Sequence, residues 1–366
     1  MAPLPRLLLA AQPLDGGVAR HLVTLVEALP PGRFQVDVAC PRSSQAWGAL
    51  EGRPEVTLHA IQAHRHPAPG DVRSWLTLER LVGRADVVHV HSSKAGFLGR
   101  LAAFTHGKRS RCAFTPHGWY FWAADGTEAA LYRGLEQLAA HWCKAIVTLS
   151  RDELSAGIEA GIGRPEQYQV IPNGVRLERF SLPRATVRGR ILMIGRLASP
   201  KRPDLAVRAL AGVRERVPEA HLRLVGDGPL RAEAEQLAAE LGLGDAVSFL
   251  GYRDDVPQLL AEAECALLAS DYEGGPLAVV EALAAGVPVV ATDAGGVGEL
   301  VGSAGAVTGP DASALAAALT DVLVDPGRAA SLGAAGRREA ESRLSLEHMV
   351  GRLVALYGEL MPRTRE

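Results

Sequence analysis

Short, continuous apolar runs alternate with long Ala/Leu-rich amphipathic stretches along the whole chain, and this alternation constrains the fold more than any other feature. Residues 6–11, 35–39, 56–60, 87–90, 112–115, 145–149 and 169–171 read as strands, followed by a second series at 190–194, 221–225, 247–250, 265–268, 287–291 and 305–307. Most of these runs are predominantly apolar and do not alternate, as expected for parallel strands buried on both faces. Between them lie helical segments such as 18–29, 205–216 and 230–241. Strand and helix repeating in this way predict a doubly wound α/β sheet, and two series predict two Rossmann-like domains facing across a cleft. The expected division is 1–182 and 183–345, with the polar stretch 181–189 as the break and a last helix at 346–366 packing back on the first domain. The length, 366 residues with 48% apolar composition, suits two full-sized cores.

Lys and Arg number 39 against 41 Asp and Glu, a net charge of −2, which argues against a dedicated nucleic-acid binder. The four cysteines, Cys40, Cys112, Cys143 and Cys265, are scattered without a paired spacing and read as buried apolar residues in a reducing compartment. No run approaches the roughly 18 apolar residues of a membrane span. The start of the chain, 1–14, has an Arg6 followed by Leu7-Leu8-Leu9 that imitates an export signal. Its apolar run is short and no small-residue cleavage site follows, so it reads as a first buried strand of a cytoplasmic protein.

Four loops at strand ends carry chemistry. Glu273-Gly274-Gly275-Pro276 follows the strand 265–268 and opens a helix. Proline suits the first turn, and the bare backbone of Gly274 and Gly275 lets amides at the helix start approach a phosphate. Glu281, one and a half turns in, is able to accept two hydroxyl hydrogen bonds, as from a ribose. The competing reading is a glycine-rich loop with two solvated glutamates. Gly195-Arg196 and Lys201-Arg202 follow the strand 190–194; a unit charge about 4 Å from a phosphate is worth roughly 4 kcal/mol at an effective dielectric near 20. Taken alone, they are ordinary surface cations beside Pro200 and Pro203. Thr115-Pro116-His117-Gly118 places a histidine at a strand end, either to bond a sugar hydroxyl or as a structural residue. His89 and His91 share a strand face but lack an evident third ligand, so no metal is expected. Asp15-Gly16-Gly17 brings bare backbone to the start of the helix 18–29. Asn173-Gly174, Gly226-Asp227-Gly228 and Gly295-Gly296 read as bends.

In this order, Gly16-Gly17, His117-Gly118, Asn173-Gly174-Val175, Gly195-Arg196 with Lys201, Gly226-Asp227-Gly228-Pro229, Glu273 with Glu281, and Gly295-Gly296 resemble the retaining glycosyltransferases of the two-domain GT-B class, family 4. The run from His91 to Arg100 is similar to the branch that builds bacterial polysaccharides and lipid-linked oligosaccharides. The resemblance implies that Arg196 and Lys201 grip a donor diphosphate and Glu281 holds the ribose. Glu273 and the amides of Gly275, Leu277 and Ala278 would meet the donor sugar and phosphates, together with Gly274 of the same loop. His117 would contact the transferred sugar, and Gly16 and Gly17 would approach the donor phosphates and the acceptor. His117, Arg196, Lys201 and Glu273 are therefore the expected catalytic set. Gly275 departs from the pattern, since the family usually has Phe or Leu before the proline, which leaves the donor sugar open.

The implied reaction moves a sugar from a nucleoside diphosphate sugar, UDP-linked first and GDP-linked next, to an acceptor hydroxyl such as a polyprenyl-linked glycan. No cofactor is implied, and without an Asp-x-Asp the cations do a divalent ion's work. Three alternatives stand: a sugar-nucleotide 2-epimerase of the same fold, a glycosidase using Glu273 and Glu281, and a non-catalytic sugar-nucleotide-binding protein. Trp119-Tyr120-Phe121-Trp122, with Lys94, Arg100, Lys108, Arg109 and Arg111, reads either as a peripheral membrane contact or as core aromatics with solvated charge.

Overall fold

The computed structural model describes residues 3–63 and 68–362, which divide into two compact units, Met1–Pro172 with Met349–Glu366, and Asn173–His348. In the first unit, seven strands form one sheet: β1 Arg6–Ala10, β2 Gln35–Cys40, β3 Val56–Ala60, β4 Val87–His91, β5 Cys112–Thr115, β6 Ala145–Thr148 and β7 Tyr168–Val170. Their order is β3-β2-β1-β4-β5-β6-β7, and every pairing is parallel. The second unit holds β8 Arg190–Ile194, β9 His221–Val225, β10 Val247–Gly251, β11 Cys265–Leu268, β12 Val289–Thr292 and β13 Gly305–Thr308. Their order is β10-β9-β8-β11-β12-β13, again all parallel.

The apolar runs explain this arrangement. Leu7, Leu8, Leu9 and Ala10 are all fully buried, because β1 lies between β2 and β4 with helices over both faces. The run that imitated an export signal is thus a central strand, with Met1 and Ala2 outside the described residues. All four cysteines are free and buried. Among the described residues, no helix is long and apolar enough to cross a membrane.

The break falls at Pro172, ahead of the stretch 181–189 that composition marked out. That stretch is tied into the second unit. The Ala185 and Val187 amides bond the carbonyls of Ala261 and Glu262 at 3.0 and 2.9 Å, and Arg184 reaches the carbonyls of Leu260 and Ala263. Polar composition marked a segment that spends its hydrogen bonds on a neighbouring helix end and does not link domains. At the other end of the chain, the helix Leu346–Leu360 delivers Tyr357 to the first unit, where its ring meets Phe34 edge-on and its hydroxyl bonds His89.

Each sheet reverses its winding once: at β1/β4 in the first unit and at β8/β11 in the second. In open parallel sheets, the crevice beyond the carboxyl ends of the strands at such a reversal is where ligands bind. The two loops that sequence reasoning weighted most, 195–202 and 269–276, follow β8 and β11.

Candidate active site

In the second unit, the loop after β8 is shaped by the turn after β9. The Leu197 amide bonds the Asp227 carbonyl at 2.9 Å, and Leu197 accepts from the Leu230 amide at 2.9 Å. This apposition is close enough to need glycine twice. A Cβ on Gly226, whose φ is +128°, would stand 2.1 Å from the Gly195 carbonyl oxygen, and one on Gly228 would stand 2.3 Å from that of Leu197. The Gly226-Asp227-Gly228 bend therefore shapes the cation loop, an account of these glycines that is steric.

Lys201 extends from that loop to Glu273, the first residue of the glycine-rich segment, and its Nζ forms an ion pair with Oε1. Ser270 Oγ donates to the same Oε1 at 2.7 Å. Ser270 is itself fixed at the end of β12: its amide donates to Thr292 Oγ1 at 2.8 Å, and Thr292 Oγ1 donates back to its carbonyl at 2.6 Å. Glu273 is only 8% exposed, so a buried carboxylate, its serine donor and one ammonium form a single polar cluster. The two loops also touch through backbone, the Asp271 amide donating to the Pro200 carbonyl at 2.9 Å. Arg202, in the left-handed region at φ +44°, is held by Asp204 and Asp271 and is a framing residue. Arg196 is exposed on the same loop as Lys201.

The helix Leu277–Ala284 begins just past Glu273, with Pro276 at its cap position and not inside its first turn. Asn173 Nδ2 donates to the Gly275 carbonyl at 2.7 Å, fixing the middle of the glycine-rich loop. Asn173→Ala should cost about 1 kcal/mol, the net worth of such a bond, read as a lower urea midpoint; an unshifted midpoint removes this anchoring role. Glu281 is 1% exposed on that helix, with Val279 and Val280 buried beside it. Leu277 and Ala278, the first two helical residues, are only half-buried, while Gly274 is buried.

In the first unit, the corresponding reversal is lined by histidines. His91 ends β4, His117 follows β5, and His21 stands on the helix Gly17–Ala28 that follows β1. His91 Nδ1 and His117 Nε2 are 3.0 Å apart, and the His21 ring centroid lies 4.8 Å from that of His117. His89 is bonded at both nitrogens, to the Tyr357 hydroxyl and to Thr115 Oγ1, each at 2.8 Å. Burial holds His91 and His117 well below the usual imidazole range, with the neighbouring rings adding to it, and brings His89 down to about 3. All three are neutral imidazoles. His21, His91 and His117 each turn one nitrogen to within 4.8 Å of the others, whereas His89, the other member of the spaced pair, has both nitrogens bonded elsewhere. The His91–His117 contact, however, is of hydrogen-bond length, and a proton between two nitrogens occupies both lone pairs.

His117 has φ +58°, unusual for a residue with a Cβ and frequent where geometry serves function. Glu153 fixes this turn. Its Oε1 accepts from the Gly118 amide, its Oε2 accepts from the Leu149 amide at 2.7 Å, and its carbonyl accepts from Trp119 Nε1 at 2.7 Å. Burial pushes the Glu153 carboxyl up to about 7, against these two amide bonds that favour the charged form. At the start of the helix Gly17–Ala28, Gly16 has φ +81°, and a Cβ on Gly16 or Gly17 would meet nothing within 4 Å, so the backbone there faces open space.

Of the residues that read either as a membrane contact or as core aromatics with solvated charge, Trp119, Arg100, Lys94 and Lys108 are engaged within the unit, whereas Arg109 is exposed and Tyr120, Phe121 and Trp122 are half-buried. Trp119 is core, stacked 5.7 Å from Phe121. Arg100 is fully buried, paired with Glu136 at 2.6 Å over the Phe114 ring. Lys94 pairs with Asp71 at 2.6 Å, and Lys108 caps the carbonyls of Val82, Gly83 and Ala85. These cations are spent inside the unit.

Two parallel-sheet units, each with polar loops at its reversal point, are the architecture of the GT-B fold class. The family models agree: "Glycosyl transferase 4-like domain" matches residues 16–174 and "Glycosyl transferases group 1" matches residues 175–339. The chain belongs to this family. It is 33% identical over 357 residues to the GDP-mannose-dependent α-(1-6)-phosphatidylinositol monomannoside mannosyltransferase of Mycolicibacterium smegmatis, covering 90% of this chain and 91% of that one. It is 29% identical over 302 residues to the UDP-Gal:α-D-GlcNAc-diphosphoundecaprenol α-1,3-galactosyltransferase of Escherichia coli, covering 78% of each. In fold it matches Anabaena HepE, solved with UDP and glucose, at TM-score 0.82 and 22% identity over 97% of this chain and 99% of that one.

Proposed function

We propose that this glycosyltransferase moves a sugar from a nucleoside diphosphate sugar to an acceptor hydroxyl with retention of the α configuration and without a metal ion. The observation that carries the reading is the meeting of Lys201, Ser270 and Glu273 at the β8/β11 reversal, just ahead of the helix Leu277–Ala284. There Lys201 and Arg196 take the donor diphosphate, and the amides of Gly275, Leu277 and Ala278 add the positive end of a helix. Glu281 accepts the ribose hydroxyls and Glu273 meets the donor sugar, alongside Gly274. In the first unit, His117 contacts the transferred sugar, and the bare backbone of Gly16 and Gly17 admits phosphate and acceptor.

The C1–O bond to the diphosphate breaks with its electron pair staying on the phosphate oxygen, while the acceptor oxygen bonds C1 from the same face. The acceptor proton passes to the departing phosphate. Charge develops on the leaving group, so cations fixed there lower the barrier. HepE was solved with UDP-glucose, and the E. coli relative uses UDP-Gal, so UDP-sugars are the first donors to test and GDP-mannose the next. The acceptors of these two relatives are lipids, which supports a lipid-linked glycan acceptor.

A donor panel with polyprenyl-diphosphate-linked N-acetylglucosamine or phosphatidylinositol mannoside as acceptor tests this directly. The expected result is acceptor-dependent nucleoside diphosphate release from one donor, with an α-linked product by NMR. A β-linked product removes retention, and conversion of the donor sugar without any acceptor makes the protein an epimerase.

A further inference from the structure

We infer that His91 sets the tautomer of His117: the single proton between His91 Nδ1 and His117 Nε2 belongs to His91, so His117 carries its own proton on Nδ1 and offers it as a donor. The first step is geometric. Two nitrogens 3.0 Å apart share one proton, since two would clash and none would leave facing lone pairs. The two rings are neutral, so their tautomers are locked together. Either both carry the proton on Nδ1, or both carry it on Nε2.

The second step chooses between them. His91 is fully buried, and its Nε2 has no hydrogen-bond partner among the described residues. With the proton on Nε2, that atom would be an orphaned buried N–H, the rarest kind of unmet polar group. With the proton on Nδ1, it is a bare lone pair, which costs less. His89 does not compete for either ring, because Tyr357 and Thr115 occupy both of its nitrogens. The turn that holds His117 at φ +58° is pinned through Gly118 to Glu153, so the ring has little freedom to escape the pairing.

The consequence rests on the proposed contact of His117 with the transferred sugar. A neutral Nδ1–H donates to a sugar oxygen without placing a positive charge beside a carbon that itself becomes positive. His91 is thus a positioning residue, acting through His117.

Ring-15N-histidine labelling of the full chain, with long-range nitrogen–proton correlation and His117→Ala for assignment, reads the tautomers. The expected spectrum has both His91 and His117 protonated at Nδ1; protonation of His117 at Nε2 overturns the inference. His91→Asn places an amide N–H where Nδ1 stood and should preserve the His117 pattern, whereas His91→Leu should give a tautomer mixture. With a working donor, His91→Leu should lower kcat about tenfold with donor KM little changed, and His91→Asn should recover most of that loss. An unaltered His117 spectrum in His91→Leu also overturns the inference. Should His91→Leu not fold, the wild-type and His91→Asn spectra still decide. Full turnover in His117→Ala, with the expected spectra, removes the sugar contact and leaves the tautomer assignment standing.

Discussion

Lys201→Ala should lower kcat by on the order of a hundredfold or more while the protein stays folded, the scale of losing one preorganised charge at a developing anion. In the free protein, Lys201 is held by Glu273, which also accepts from Ser270. The ammonium is therefore already in place when a donor arrives, and that preorganisation is what a freely moving surface lysine would lack. Substitution also leaves Glu273 as a buried carboxylate without its cation, so some stability is lost as well. The two effects separate by experiment: circular dichroism and the urea midpoint report folding, and turnover at saturating donor reports chemistry. Lys201→Arg should recover part of the rate, since it keeps the charge but changes its reach. Turnover within threefold of wild type in folded Lys201→Ala would remove Lys201 from the diphosphate site, and with it the main support for the proposed mechanism.

The parts of this fold that could be read from sequence were those written in local chemistry. Predominantly apolar runs marked the thirteen strands to within a few residues, because a strand covered on both faces is built mainly from apolar side chains. Lys201 and Glu273 were singled out because each follows a strand, and parallel topology gathers strand ends. What sequence did not show was partnership across long separations. Thr292, with no motif around it, anchors Ser270 from the end of β12, and Glu153 braces the His117 turn from the helix Arg151–Glu159. A serine at the cap with glutamate three residues on was the available sign at Ser150 and Glu153, and it signals a helix start, which Ser150 does supply. Arg100 was misread for the same reason. Basic residues near it in sequence suggested a surface, whereas Glu136, on another helix, takes it into the core.

Acid should unfold the first unit selectively, and the histidines supply the reason. His89 and His91 are buried, His117 is half-buried, and all three are neutral in the folded chain, with His89 brought down to about 3 and the other two well below 6.5. Unfolded, each takes up a proton as pH falls through about 6.5. The unfolded state therefore binds more protons below that pH, and stability must decline with acidification. For His89 alone, the loss at pH 4 is about 3 kcal/mol. Glu153 opposes this: its folded value near 7 lies above its unfolded one, so it takes up a proton earlier in the folded state and contributes stability as pH falls toward 4.5. One carboxyl offsets about one histidine, which leaves the cluster as a net acid liability between pH 6.5 and 4.5. All five tryptophans lie in the first unit, so tryptophan fluorescence follows that unit without a contribution from the second. The urea midpoint by fluorescence should fall steadily from pH 7 to pH 5, and His89→Gln should flatten the slope by about one proton's worth, ~1.4 kcal/mol per pH unit. A midpoint that holds constant across that range would mean the histidines are charged or solvated in the folded chain, and the neutral cluster beside His117 would not exist.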